Sequence, residues 1–340
     1  MKAKALLTSV LLATSVLSMP SLASAAEINL YTTREPALIA PLLEAYAKST
    51  GTKVNTVFMK DGLAERVASE GASSPADILM VVDAGNLVDL AEKGVTQQIE
   101  SSVLNEAIPA QLRDGKGHWF GLSMRGRVLY AAKDIDLASF NYEDLADPKW
   151  KGKVCIRAGQ HPYNTALIAD YIAHYGADET EKWLAGMKEN LARKAAGGDR
   201  DVAKDILGGI CDIGIGNTYY VGLMTSGKGG EEQVKWAEAI KVVLPTFKQG
   251  GTQVNVSGAA VAKNSPNKAE AVKFLEYLVS DEAQKIYAEA NYEYPVRAGA
   301  AVDPIIASFG ELKIDTKPLS EIVSHRKQAS ELVDKVGFDN

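Results

Sequence analysis

Short apolar runs alternate with stretches of helical periodicity along most of the chain, the pattern of an α/β protein. The run Ile28 to Thr32 predicts a first strand. Pro36 then suits a helix first turn, Ile39, Leu42, Leu43 and Tyr46 recur at helical spacing, and Gly51 marks the end of that helix. Val54 to Met59 and Ile78 to Val82 predict further strands, and Leu87 to Glu92 another helix. Near the C-terminal end, Ser265 and Pro266 predict a cap and first turn for a helix with Ala271, Phe274, Leu275 and Leu278 on one face. Ser280, followed by Asp281 and Glu282, opens the next helix. No repeat, low-complexity segment or long linker interrupts the pattern. The lobes of a chain this long are therefore expected to be joined by strands that cross between them, with ligand in the cleft. The glycine-interrupted stretches Trp119 to Tyr130 and Val254 to Ala262 are the candidate crossings.

One apolar run does not fit this alternation. Leu6 to Met19 follows Lys2 and Lys4 and ends in the small residues Ala23, Ser24 and Ala25, which is the design of a secretory signal peptide cleaved before Ala26. It is too short and wrongly flanked for an anchor. The expected location is the periplasm, without membrane insertion. Apolar residues make up 46% of the chain, which places it among ordinary globular proteins. The formal charge of −6 becomes −8 once Lys2 and Lys4 leave with the leader, so there is no footprint for nucleic acid.

Two cysteines in an exported chain read as one disulfide. Cys155 lies in the strand-like run Val154 to Ile156, and Cys211 precedes a second run, Ile213 to Ile215, with 55 residues between the cysteines. Closing such a loop stabilises a fold by about 4 kcal/mol in the chain-entropy description. Two unrelated buried thiols are the other reading. Each cysteine also stands eight residues before a tyrosine, Tyr163 and Tyr219, and Tyr220 adjoins the latter. Both segments run from strand through a glycine-containing loop into a helical pattern. Ligands collect at such strand ends in α/β sheets, and the positive ends of the helix dipoles favour phenolates.

Three phenolates suit a hard, highly charged cation, because an ordinary tyrosine stays protonated near neutrality unless a metal displaces the proton. Iron(III) meets that demand, while calcium or magnesium would call for carboxylate clusters that these loops lack. With 13 tyrosines in the chain, however, an adjacent pair arises by chance about as often as not, and tyrosine is a common packing residue. Spacing alone favours that plainer reading of Tyr219 and Tyr220.

The runs LYTTR, ERVASEGASSPADILMVVDAG, HWFGLSMRGRVLY, GKVCIRAG with PYN, GGDRD, CDIGIGNTYY, SGAAVAKNSPNKAEAVKFLEYL and EYPV span the mature sequence. In them the chain resembles the periplasmic ferric-iron-binding proteins of ABC importers, the group that includes the FbpA-type and FutA-type proteins. The resemblance implies a type II periplasmic binding protein fold, α/β, with two lobes of mainly parallel sheets joined by crossing hinge strands. It implies that Tyr163, Tyr219 and Tyr220 bind ferric iron. Many relatives follow the first-strand arginine with His-Tyr, whereas here Glu35 and Pro36 follow Arg34. The subgroup this resembles completes the metal shell with a synergistic anion, commonly carbonate. Arg34 and Arg125 are the candidates to hold it, since a guanidinium matches a planar anion with paired donors. Arg127 is a lesser candidate, read as a structural ion pair or a solvated face, Glu35 as reaching an arginine or a metal-bound water, and Tyr31 as a possible cleft residue.

The histidines His118, His161, His174 and His325 show no metal-ligand spacing; His161 is read as a loop residue near the site and His174 as structural. No HExxH, GxSxG or CxxC motif is present, and no enzyme is expected. The expected organisation is a leader over 1–25, a first lobe of 26–125 and 254–297, and a second of 126–253 and 298–340. The expected function is capture of ferric iron by hinge closure and delivery by a monomer to an ABC permease. A binding protein for a small organic or inorganic anion, or a ligand-sensing module docking on a receptor, would share this fold.

Overall fold

A computed structural model describes residues 26–340. The leader read in residues 1–25 lies outside the described residues. Among the described residues nine strands carry the architecture: β1 (Glu27–Thr32), β2 (Lys53–Phe58), β3 (Ile78–Val81), β4 (Phe120–Ala132), β5 (Val154–Cys155), β6 (Ile213–Asn217), β7 (Ile240–Val243), β8 (Val254–Val261) and β9 (Tyr294–Pro295). They form one continuous hydrogen-bonded path, β2-β1-β3-β8-β4-β6-β5, with β7 and β9 also paired to β4.

The first elements follow the hydrophobic pattern closely. Ile28 and Leu30 of β1 are buried, and the helix Pro36–Thr50 has Pro36 in its first turn and buries Ile39, Leu42 and Tyr46. Gly51 ends it in the left-handed region at φ +76°, a conformation that glycine adopts without a Cβ penalty. β3 and β8 are buried along their whole length, which is why they read as unbroken apolar runs.

The sheet is mixed, not mainly parallel. Among the nine strands, parallel pairing joins only β1 with β2 and β3 and β5 with β6, whereas β3 with β8, and β4 with β6, β7, β8 and β9, are antiparallel. The strands at the centre of the sheet run against their neighbours, and hydrophobic pattern carries no information on strand direction.

β4 is one of the expected crossings. Phe120–Gly126 pairs with β8, and from Arg127 onward the strand pairs with β6 and β7. Just before β8, Gln253 O accepts from Arg127 N, and Thr252 bridges to Ile314. The helix Lys268–Leu278 has Asn267, not Ser265, at its N-cap position, without a side-chain capping bond. Asp77 holds the preceding turn, taking hydrogen bonds from Ser265 Oγ at 2.6 Å and Asn267 N at 3.0 Å. Ser280 does cap the helix Asp281–Asn291.

Cys155 and Cys211 form the disulfide, with Cα atoms 5.9 Å apart. It sits where β5 meets β6, in register Cys155 to Gly214. A Cβ on Gly214 would stand 2.4 Å from Cys155 O, so close an approach of the two backbones requires glycine there.

Candidate metal centre

β5 and β6 lie side by side and each leads into a helix N-terminus bearing tyrosine. Tyr163 is the second residue of the helix Pro162–Glu189, whose capping His161 accepts from Tyr163 N at 3.2 Å. Tyr219 and Tyr220 are the second and third residues of the helix Thr218–Thr225, which follows β6 directly. Parallel pairing thus sets two helix starts next to each other. The hydroxyls of Tyr163 and Tyr219 lie 3.1 Å apart, and the rings of Tyr219 and Tyr220 pack with centroids 4.3 Å apart.

Burial, with the neighbouring Tyr220 and Tyr163 adding to it, pushes the Tyr219 phenol well above its ordinary range. Burial also raises Tyr220, opposed by a hydrogen bond with Tyr219. Both are neutral phenols near neutrality, so any metal bound here must displace their protons. Positive charge surrounds them. The guanidinium carbons of Arg125 and Arg127 lie 5.9 Å, and that of Arg157 5.1 Å, from the Tyr163 ring centroid.

A cleft of about 240 Å3 opens onto the tyrosines, lined by Arg34, Glu35, Arg125, Tyr163, Tyr219 and Glu293 among others. A larger one of about 680 Å3 adjoins it at Val82 and Tyr163 and runs between Asp83 and Arg326. Tyr220 is not among the residues lining the smaller cleft; its ring packs on that of Tyr219, with the Arg200 guanidinium 5.6 Å away.

The arginines divide by their partners. Arg125 donates to Val82 O and, at 3.2 Å, to Ser257 Oγ, and stands 3.8 Å from Asp83. Arg34 donates to Ser257 Oγ at 2.8 Å and to Tyr287 Oη, and forms a 3.0 Å ion pair with Glu293. Of the two readings of Arg127, the ion pair holds and the solvated face does not: it is buried against Asp199 at 2.5 Å and donates to Asn164 Oδ1 at 2.6 Å. Asp199 also takes Arg157 and the Asn217 backbone N–H, so this one carboxylate braces both tyrosine-bearing helix starts.

Glu293 is the cleft residue that sequence reasoning missed. Burial acts to raise its pKa, but the charges of Arg34 and Arg125 and a hydrogen bond from Ser123 outweigh it and hold the carboxyl below its ordinary value. The motif EYPV contained it, yet nothing local signals a partner at Arg34. Glu35 lines the cleft, and its side chain makes no capping bond to the helix that follows. Tyr31 does not line it. Its hydroxyl donates to Glu70 at 3.1 Å beneath the Arg66 guanidinium, since the alternation of β1 turns that position away from the cleft.

The profile of the family described as "Bacterial extracellular solute-binding protein" matches residues 73–308. The chain belongs to this family. This solute-binding protein is 40% identical over 332 residues to iron uptake protein A2 of Synechocystis sp., an alignment covering 95% of this chain and 94% of that one. Among solved structures it superposes on "Bordetella ferric binding protein" with a TM-score of 0.91 and 68% identity, covering 92% of this chain and all of that one. It superposes with a TM-score of 0.88 and 43% identity on a Trichodesmium protein described as IdiA or FutA in complex with iron and citrate, again over 92% of this chain and all of that one. The fold is that of the type II periplasmic binding proteins. Among the described residues no helix is long and apolar enough to cross a membrane.

Proposed function

We propose that this solute-binding protein captures ferric iron in the periplasm through the phenolates of Tyr163, Tyr219 and Tyr220 and delivers it, as a monomer, to an ABC permease. The observation that carries this reading is the 3.1 Å approach of the Tyr163 and Tyr219 hydroxyls, with Tyr220 packed on Tyr219, at two helix starts. Three phenolates cancel the charge of iron(III), and the surrounding guanidiniums favour the phenolate form. The names of the Synechocystis and Bordetella relatives support iron as the solute.

A synergistic anion, carbonate in this proposal, completes the shell. Arg125 is its first holder, because it faces Tyr163 and Tyr219 across the cleft. Arg34 is the second. Its buried Nε and the buried Thr33 Oγ1 have no hydrogen-bond partner among the described residues, and both residues line the cleft, so donors are left over for an anion. Residues 26–125 with 254–297 form the first lobe, and 126–253 with 298–340 the second, which carries all three tyrosines. Closure about the strand crossings at Gly126 and Gln253 brings the arginines of the first lobe over the metal.

The test is a visible-absorption titration of the apoprotein with chelated iron(III), with and without bicarbonate. A saturable charge-transfer band at one iron per chain supports the phenolate site, and its dependence on bicarbonate supports carbonate. No band, with no competition against the chelator, overturns the iron reading in favour of an organic anion held by the arginines.

A further inference from the structure

Deeper in the helix Pro162–Glu189, away from the tyrosines, Asp170 and His174 stand one turn apart and face Asp315. His174 Nε2 lies 3.0 and 3.1 Å from the two oxygens of Asp315 and 3.8 Å from Asp170 Oδ1. One donor atom from each of the three residues lies within 4.8 Å of the other two. The side chains are sealed from solvent, with exposures of 0% for Asp170, 6% for His174 and 2% for Asp315.

The surroundings are built to orient these donors. Asp315 Oδ2 takes the Gly251 N–H at 2.8 Å and Oδ1 the Lys317 N–H at 2.9 Å. Phe247 stacks on the His174 ring at 4.3 Å and 29°. Gly250 wraps the loop so tightly that a Cβ there would stand 2.1 Å from Asp315 Oδ2. Hydrogen bonds and packing that fix ligand orientation in this way are the outer shell of a metal site.

Asp170 is the group that needs explaining. Neither of its oxygens has a hydrogen-bond partner among the described residues. Burial, and then the charge of Asp315, push its carboxyl well above the usual range. A proton alone leaves it poorly served, because the nearest ring nitrogen is 3.8 Å away, beyond hydrogen-bond reach, and is already engaged by Asp315. A cation removes the difficulty. Donors held about 2.0–2.2 Å from a tetrahedral ion lie about 3.3–3.6 Å from one another. The His174 separations of 3.0 and 3.8 Å bracket that spacing, and all three donors lie within 4.8 Å of one another.

We propose that Asp170, His174 and Asp315 form a second metal site, separate from the tyrosine cleft, that takes one divalent ion of the zinc class. One imidazole and two carboxylates, with no thiolate, suit zinc and similar borderline ions. The role is structural: the ion ties the first part of the helix Pro162–Glu189, which breaks at Gly176 (φ +77°), to the segment around Asp315, which bonds to Thr252. This proposal does not rest on the iron reading.

The experiment unfolds the protein in denaturant with a chelator and refolds it with or without zinc, reading metal content by mass spectrometry and Tm by calorimetry. The expected result is one zinc per chain and a higher Tm in the zinc-refolded wild type. Zinc should be lost from Asp170→Asn and His174→Gln, and kept by the triple variant Tyr163→Phe, Tyr219→Phe, Tyr220→Phe. Should the first two variants fail to fold, X-ray absorption of the zinc-loaded wild type decides, with one imidazole among oxygen donors expected. Wild-type protein that folds without retaining zinc overturns the site. So does zinc that survives both cluster variants, disappears with the tyrosines, or lacks imidazole ligation. The ferric charge-transfer band reports on the tyrosine cleft separately.

Discussion

Arg34 and Glu293, 259 positions apart in the chain, are joined by a 3.0 Å ion pair in the wall of the candidate metal cleft. Both are buried. Glu293→Ala therefore leaves a guanidinium in the interior without its carboxylate, and breaking a buried pair from one side costs about 3–5 kcal/mol. Urea unfolding of the apoprotein should show that loss. Replacing both residues by apolar ones should cost markedly less, and equal losses in the single and double variants would refute the pairing as the cause.

Tyr219→Phe and Tyr163→Phe each remove a phenol oxygen from the 3.1 Å pair. Iron affinity should fall about 10-fold or more, which is about 1.4 kcal/mol or more, and the charge-transfer band should weaken. Apoprotein stability should change little, because both tyrosines line the open cleft, where water can take the place of the lost hydroxyl. Competition against a chelator of known affinity gives the first quantity, and calorimetry the second.

Acid should weaken the folded apoprotein through His161. Burial, and then the charge of Arg157, push this imidazole down to about 4, whereas an unfolded histidine titrates at about 6.5. Between those values the unfolded chain binds a proton that the folded chain does not. Stability thus rises with pH across the window and is lost as pH falls from about 6.5 towards about 4. His161→Gln should flatten this part of a Tm-against-pH profile; an unchanged slope would assign it elsewhere.

A second long-range pair involves Arg326, which lines the larger cleft. Arg326 donates to both oxygens of Asp89, at 3.1 Å to Oδ2, and so joins the helix Arg326–Val336 to the helix Ala84–Glu92. In the two-lobe reading this pair latches the closed form. Half-exposed pairs are worth about 0–1 kcal/mol, so Asp89→Asn should speed iron dissociation by no more than about 5-fold. Added salt should speed release from the wild type and leave the variant nearly unaffected. Stopped-flow removal of iron by a chelator measures both.

Much of the local structure was legible in the amino-acid order. The strand around Ile28, the helix from Pro36 to Gly51, the cap at Ser280 and the three tyrosines at helix starts all follow from periodicity and end signals confined to a few residues. The cysteine pair was readable too, because two thiols in an exported chain have few other fates. These features depend on which face of an element is apolar and on how its backbone ends. Both are written within a turn or two of the chain.

Which residues meet was settled by packing between distant elements. Burial pattern does not encode strand direction, so the mixed sheet was not legible. Side-chain period did not say that Tyr31 would bond Glu70, that Arg34 would find Glu293, or that His174 would face Asp315 from 141 positions away. The sequence by itself determined the elements and the chemistry at their ends. The packing of parallel β5 against β6 and the crossing of β4 determined which of those ends share a site, because contacts between distant residues are set by the relative placement of whole elements.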